Sequence, residues 1–115
     1  MFVGIARITL RLPGAQSLKD RRRVINGYKD RLKARLSVSV AEVGSGDDHH
    51  SASLGVALVA RDAGEATELL ARVVAVAEQI PEALVVDSGR RVLPWRPEWS
   101  GPSWSDLDDD PPKKG

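Results

Sequence analysis

Lys19, Arg22, Lys29 and Lys33 fall at intervals that matter if the segment holding them is a helix. At 100° per residue they lie within about 80° of one another, with Asn26 among them. At 1.5 Å per residue the row is about 20 Å long. Cations in a row of that length suit the phosphates of a nucleic acid, which repeat along a strand and release counterions when neutralised. Arg23 stands beside the row and joins the expected nucleic-acid set, while Arg31 and Arg35 flank the far edge of the helix's apolar stripe. The whole stretch, "SLKDRRRVINGYKDRLKARL" from Ser17 to Leu36, carries eight of the chain's 17 Lys and Arg residues. Only Asp20 and Asp30 offset them within it. The competing reading is a solvated helix face, because Lys and Arg are good helix formers and cover outward surfaces routinely.

A second candidate is the loop "LPGAQS" that leads into this segment. The first amides of a helix are free to hold an anion, helped by the dipole and by nearby cations. Ser17 and Lys19 are the expected anion contacts, with Arg21 to Arg23 close by. Plain capping by Ser17 is the alternative. The loop has no Walker pattern, so nucleotide hydrolysis is not supported.

Asp47 to His50, "DDHH", has metal-ligating side chains. Neighbours on an extended segment point apart, and no distant Cys or His completes a set. A solvated turn is expected there and no metal site. The chain has no cysteine, so it has neither disulfides nor thiolate chemistry. No Ser–His–Asp arrangement has motif support. We expect no catalytic residues and no cofactor. Trp95, Trp99 and Trp104 are the expected partner-binding anchors, since tryptophan is enriched at interface hot spots. Asp106, Asp108, Asp109 and Asp110 lie close after them. This acidic run could fold back over the basic segment as a phosphate mimic, or the whole tail could serve solubility alone.

These side chains are positioned by six elements legible from periodicity. Phe2 to Leu12 alternates toward its end, with Ile8, Leu10 and Leu12 on one face and Arg7, Thr9 and Arg11 on the other. That is a strand with one buried face. Ser17 with Asp20 marks a helix start, and Leu18, Val24, Ile25, Tyr28, Leu32 and Leu36 form its apolar stripe. Gly27 lies off the stripe and suggests close packing. "LSVSVAEVG" and "SASLGVALVAR" read as strands, the second apolar enough to be central. Asp62 and Glu65 start a second helix, whose stripe is Ala66, Leu69, Leu70, Val73, Val76, Ala77 and Ile80; Pro81 ends it. "ALVVDSGRRVL" is a fourth strand, with a bulge expected at Gly89. The order βαββαβ, with right-handed crossovers, builds a four-stranded antiparallel sheet carrying both helices on one face. This is the ferredoxin-like α+β sandwich. Residues 1–93 are expected to form that domain, and residues 94–115, rich in Pro, Trp and Asp, a flexible tail.

A chain of 115 residues is one domain's worth, and 42% hydrophobic content suffices for a small core. Net charge is only +1, yet residues 1–46 carry +7 and the remainder −6. That asymmetry argues for a basic face. The N-terminus lacks a basic leader region, and arginines interrupt its apolar run, so it does not read as a signal peptide. No stretch reaches the ~18 uncharged apolar residues of a membrane span. A soluble, cytoplasmic protein is expected.

Several stretches together resemble the YlxP-like family of small bacterial proteins, domain of unknown function 503. They are "MFVGIARITLRLPGAQSLKDRR", "VSVAEVG", "LGVALV" and "PEALVVD", spread in order over about residues 1–93. The resemblance implies a ferredoxin-like fold. Genes of that family often lie among those for translation initiation and ribosome maturation, which implies a role near the ribosome. It supplies no catalytic residues. The turn after the second strand lacks the aromatic residue usual in the family, and the Trp-rich tail has no counterpart there.

Three functions follow from these features. The first is a non-catalytic accessory factor that holds RNA phosphates on the basic helix, with ribosomal RNA or the small ribosomal subunit as partner. The second is a regulatory small-molecule-binding dimer, with its site near Pro13-Gly14, as in amino-acid-binding domains of similar topology. The third is a protein-interaction module acting through the tryptophans. Acylphosphatases share the topology, but "LPGAQSLKDRR" does not match their Arg-bearing loop. RNA-recognition motifs stack bases on aromatics of the central strands. Phe2 is the lone aromatic on the expected central strands, so base stacking is not expected. Pairing with a second copy of the chain, or cover by the tail, would hide the apolar part of the free sheet face, and a homodimer is the expectation.

Overall fold

Antiparallel pairing along the whole of the first strand organises the molecule. The computed structural model describes residues 1–44 and 48–95. The elements are β1 (Phe2–Arg11), α1 (Leu18–Arg35), β2 (Ser39–Glu42), β3 (Ser51–Ala60), α2 (Ala63–Glu78) and β4 (Leu84–Pro94). The sheet order is β2-β3-β1-β4, and every neighbouring pair is antiparallel. This is the expected ferredoxin-like arrangement, with two βα units interleaved in one sheet.

The period-2 pattern of β1 and β3 sets which face is covered. Ala6, Ile8 and Leu10 of β1 and Ala52, Leu54, Val56 and Leu58 of β3 are buried. They share one core with Val24, Ile25, Tyr28 and Leu32 of α1 and Ala66, Leu70, Val73 and Ala77 of α2. Tyr28 is almost wholly buried, and its hydroxyl donates to the Val73 carbonyl at 2.9 Å, tying the helices together. Burial pushes the pKa of this phenol up, because a phenolate there would lose its water.

The two helices start alike. Ser17 Oγ accepts from Asp20 N at 3.1 Å, and Asp20 Oδ2 accepts from Gln16 N at 3.0 Å. Asp62 Oδ1 accepts from Glu65 N at 2.8 Å, and Glu65 Oε1 accepts from Arg61 N at 3.1 Å. Each is a reciprocal cap whose return bond reaches one residue further back than in the usual capping box. Helix α2 stops at Glu78, with Gln79 as its cap, ahead of Pro81.

Several local expectations are corrected. Leu18 is 43% exposed and leaves the apolar stripe of α1. Its second strand is shorter than "LSVSVAEVG", holding only Ser39–Glu42. Thr9 pairs with Asp87 and Leu10 with Val85, so the bulge puts the extra residue at Val86. Gly89 pairs in register with Arg7. The sheet also takes in Pro94, and Trp95 N donates to the Met1 carbonyl at 2.8 Å. Nothing lies within 4 Å of where a Cβ on Gly27 would stand, so close packing does not explain that glycine.

The inward position left by Leu18 is taken by Arg21. Arg21 is 5% exposed. Its Nε donates to the Ser51 carbonyl at 2.9 Å, and its Nη2 pairs with the Glu42 carboxylate. One guanidinium thereby holds the last residue of β2 and the first of β3 against α1. The rigid fork of arginine suits two acceptors in different directions.

Three stability predictions follow from the packing of this helix. Arg21→Ala leaves Glu42 and a backbone carbonyl without their donor and should cost about 2–3 kcal/mol. Arg22→Ala, one residue on and exposed, should change stability by less than about 0.5 kcal/mol. Gly27→Ala should add about 0.5–1 kcal/mol, since it improves helix propensity and meets no obstacle. Urea denaturation of the three variants checks all three values.

Candidate nucleic-acid interface

The outward face of α1 is dictated by what its inward face must bury. Arg21, Ile25, Tyr28 and Leu32 recur at spacings of four, three and four, the signature of a core-facing stripe, and all four are buried. Their opposite face therefore carries Lys19, Arg22, Asn26 and Lys33, all exposed, with Lys29 half-buried at the border. The expected row is brought together on one side of one helix. Arg31 and Arg35 are exposed too.

The cations of this helix divide into two groups by partner. Arg21 is buried and paired, and so does not belong to the outward cluster around Ser17 and Lys19. Arg23 reaches the loop before β4, where its Nη1 stands 3.3 Å from Glu82 Oε2. Both side chains are more than half exposed, so that pair contributes little to stability. For Lys19, Arg22, Lys29 and Lys33, no carboxylate among the described residues lies within ion-pair distance. Asp30 shares their helix and is exposed, yet it forms no pair among the described residues. Three of these charges, on Lys19, Arg22 and Lys33, thus face solvent, with the fourth, on Lys29, at the border.

At the start of α1, Ser17 is the N-cap and Asp20 brings a carboxylate into the first turn. There the Asp20 carboxylate already takes the Gln16 amide, and the neutral Ser17 hydroxyl takes the Asp20 amide. Beside it a cleft of about 280 Å³ opens between the β1–α1 loop and the α2–β4 loop. Leu12, Ala15, Val24 and Ala83 form its apolar walls, and Asp20, Arg23 and Glu82 bring both signs of charge to it.

In the "DDHH" stretch, Asp47 lies outside the described residues. Asp48 Oδ1 accepts from His50 N at 2.9 Å, and Asp48 Oδ2 accepts from Ser51 Oγ at 3.3 Å. The backbone bond from His50 is the main reason the Asp48 carboxyl sits below its usual range. The His49 and His50 rings lie against each other, centroids 4.2 Å apart. Asp48 thus serves the turn. Among the described residues no three His, Cys, Asp or Glu side chains gather into a cluster able to hold a metal.

Of the three tryptophans, Trp95 stands at the end of β4 with its side chain partly exposed. Trp99 and Trp104, and the acidic run after them, lie outside the described residues. No helix among the described residues is long and apolar enough to cross a membrane.

Arg21 is the residue that counting charges missed. A reading that treated every arginine as outward could not find it. Its spacing to Ile25, Tyr28 and Leu32 was the available signal.

Residues 3–90 match the family described as "Protein of unknown function (DUF503)". The uncharacterized protein YlxP of Bacillus subtilis (strain 168) is 30% identical over 81 residues, covering 70% of this chain and 88% of that one. Solved structures similar to it include the de novo designed protein Foldit4, 15% identical, with a TM-score of 0.48 over 82% of this chain and 99% of that one. A de novo designed protein with ferredoxin fold is 14% identical, with a TM-score of 0.41 over 87% of this chain and 93% of that one. With a family match that spans most of its length and a YlxP relative at this identity, the chain belongs to the YlxP-like DUF503 family.

Proposed function

We propose that this protein is a non-catalytic RNA-associated accessory factor that holds phosphates on the outward face of α1. The observation that carries the reading is the contrast within one helix. Arg21 and Arg23 are paired, whereas Lys19, Arg22, Lys29 and Lys33 pair with no carboxylate among the described residues. Contacts to phosphate position a protein without reading sequence, and this face has no aromatic side chain on which a base could stack. The small ribosomal subunit is the partner to try first, a choice that rests on the family resemblance alone. The absence of catalysis is part of the same proposal.

Four phosphate contacts should give log K against log salt a slope of about −3 to −4. Joint Arg22→Glu, Lys29→Glu and Lys33→Glu should flatten that slope and weaken binding at least about tenfold. Co-sedimentation with purified small ribosomal subunits, from low to physiological salt, measures both. Arg22 and Lys33 are exposed and Lys29 stands half-buried at the border, none of them in the core, so the variant should melt cooperatively near the wild-type temperature. Equal binding by the two proteins would remove α1 from the interface.

A second reading rests on the cleft beside Pro13 and Gly14. Its apolar walls and its charges of both signs suit a small zwitterion such as an apolar amino acid. A thermal-shift screen of amino acids should then find one that raises the melting temperature, and Arg23→Ala should abolish the rise. No shift with any amino acid would reject the site.

A further inference from the structure

In the order β2-β3-β1-β4, the last strand pairs with β1 on one side, and no strand of the described residues borders its other side. β4 is also the longest strand, from Leu84 to Pro94. Its outer edge carries a row of amides and carbonyls without a ladder partner, which is a template for another strand. Apolar side chains along it are incompletely covered. Leu84 is 58% exposed and Val86 56%, while Val85 and Val92 rim the core and are half-buried.

The sequence of this edge is complementary to itself. Its register with β1 puts Leu93, Arg91, Gly89, Asp87 and Leu84 on the face away from the helices. Val92, Arg90, Ser88 and Val85 pair with the core-facing side of β1, and Val86 is the extra residue of the bulge. A second β4 can be laid antiparallel on the first about a two-fold axis perpendicular to the sheet. Such an axis keeps the two faces of the sheet distinct and passes through a residue paired with its own copy. With Gly89 on the axis, Ser88 stands opposite Arg90 and Asp87 opposite Arg91. The bulge takes Val86 out of the count, as it does against β1, so Val85 meets Val92 and Leu84 meets Leu93. Both side chains of every pair then share a face. Without the bulge, Val85 would meet Leu93 from the opposite face.

Neighbouring registers lack this match. With Ser88 on the axis, Leu84 meets Arg91 and Val85 meets Arg90. With Asp87, Arg90 or Arg91 on the axis, like charges stand directly opposite, which destabilises a sheet. Pro94, which has no amide hydrogen to give, falls just beyond the matched span. The match uses only the sign of the Arg91 charge, whatever else that side chain touches. Self-complementarity of this kind is what a symmetric pair requires, and a foreign strand would not need it. We propose that two copies of this chain join edge to edge through β4, with Gly89 on the two-fold axis, into one eight-stranded sheet with four helices on one face. Both α1 helices then lie on the same side of the assembly. The pairing does not depend on what the α1 row binds.

Sedimentation equilibrium of the full-length chain should show a reversible monomer–dimer equilibrium. One strand pair is a small interface, so a dissociation constant of roughly micromolar order is expected. Leu84→Lys should raise it at least about tenfold, because each dimer loses two Leu84–Leu93 pairs and gains an edge lysine on each side. Leu84 is exposed, so far-UV circular dichroism should show the fold unchanged. The chain has no cysteine, so an introduced thiol reports its own contact. A Cβ at position 89 meets nothing within 4 Å in the single chain, so the fold tolerates Gly89→Cys. Directly opposed residues lie about 4.5–5.5 Å apart at Cα, within reach of a disulfide. The two copies of residue 87, on the same face, stand about 14 Å apart. Under mild oxidation Gly89→Cys should therefore form covalent dimer at least about tenfold faster than Asp87→Cys. A chain that stays monomeric at millimolar concentration would overturn the proposal. A dimer that Leu84→Lys leaves unchanged, or equal oxidation of the two cysteine variants, would overturn it in favour of pairing through another surface.

Discussion

The Arg21 guanidinium is the contact on which the geometry of α1 depends. It is the one buried charged side chain of the described core. It binds β2 through Glu42 and β3 through the Ser51 carbonyl, the two strands on either side of the polar turn. β2 is four residues long and pairs on one side only, so ladder bonds alone hold it weakly. A charged anchor from the helix compensates for that short ladder. Because Arg21 must point inward, rotation of α1 about its axis is set, and every other side chain on the helix takes its direction from it.

This is why the basic helix does not present all its charge to one place. Arg21 is consumed by the fold and Arg23 by a surface pair, which leaves a narrower row than composition suggests. An ion pair at the surface is nearly neutral in energy, whereas an unpaired surface cation keeps its long-range field. The residues that matter for a polyanion are therefore those the fold leaves without a partner. Tyr28 completes the frame by holding α1 to α2, so the row sits on a helix fixed at both its sheet and its helix contacts.

Most of the architecture was legible from periodicity. The alternation at Ile8, Leu10 and Leu12 and the helical spacing of Val24, Ile25, Tyr28 and Leu32 identified the faces, because burial follows geometry that repeats. Serine and aspartate before each helix identified the caps. The misses share a different cause: each depended on a partner distant in sequence. Leu18 has apolar character and still faces solvent, because the neighbouring position carries the anchor. The bulge falls at Val86, where β4 meets Thr9 and Leu10, and no local glycine signalled it. Gly27 looked like a packing site and meets only open space. For the candidate site, the row on α1 was readable from the helical wheel, while the pairing that separates Arg21 and Arg23 from the rest required Glu42 and Glu82 to be brought near.

The central place of β1 has a consequence for how the protein is made. β1, which precedes the other three strands of the sheet along the chain, pairs on one side with β3, from residue 51 onward, and on the other with β4, which ends at residue 94. The β3 flank cannot close before residue 60 has left the ribosome, and the β4 flank cannot close before nearly the whole domain has. Ile8, Leu10 and Leu12 must wait in the nascent chain while the helices, built from local contacts, form around them. Long-range pairing of this kind slows folding and leaves apolar strand surface unprotected in the interval. The arginines at positions 7 and 11 alternate with those residues, and they give the waiting strand a charge that opposes its association with other chains.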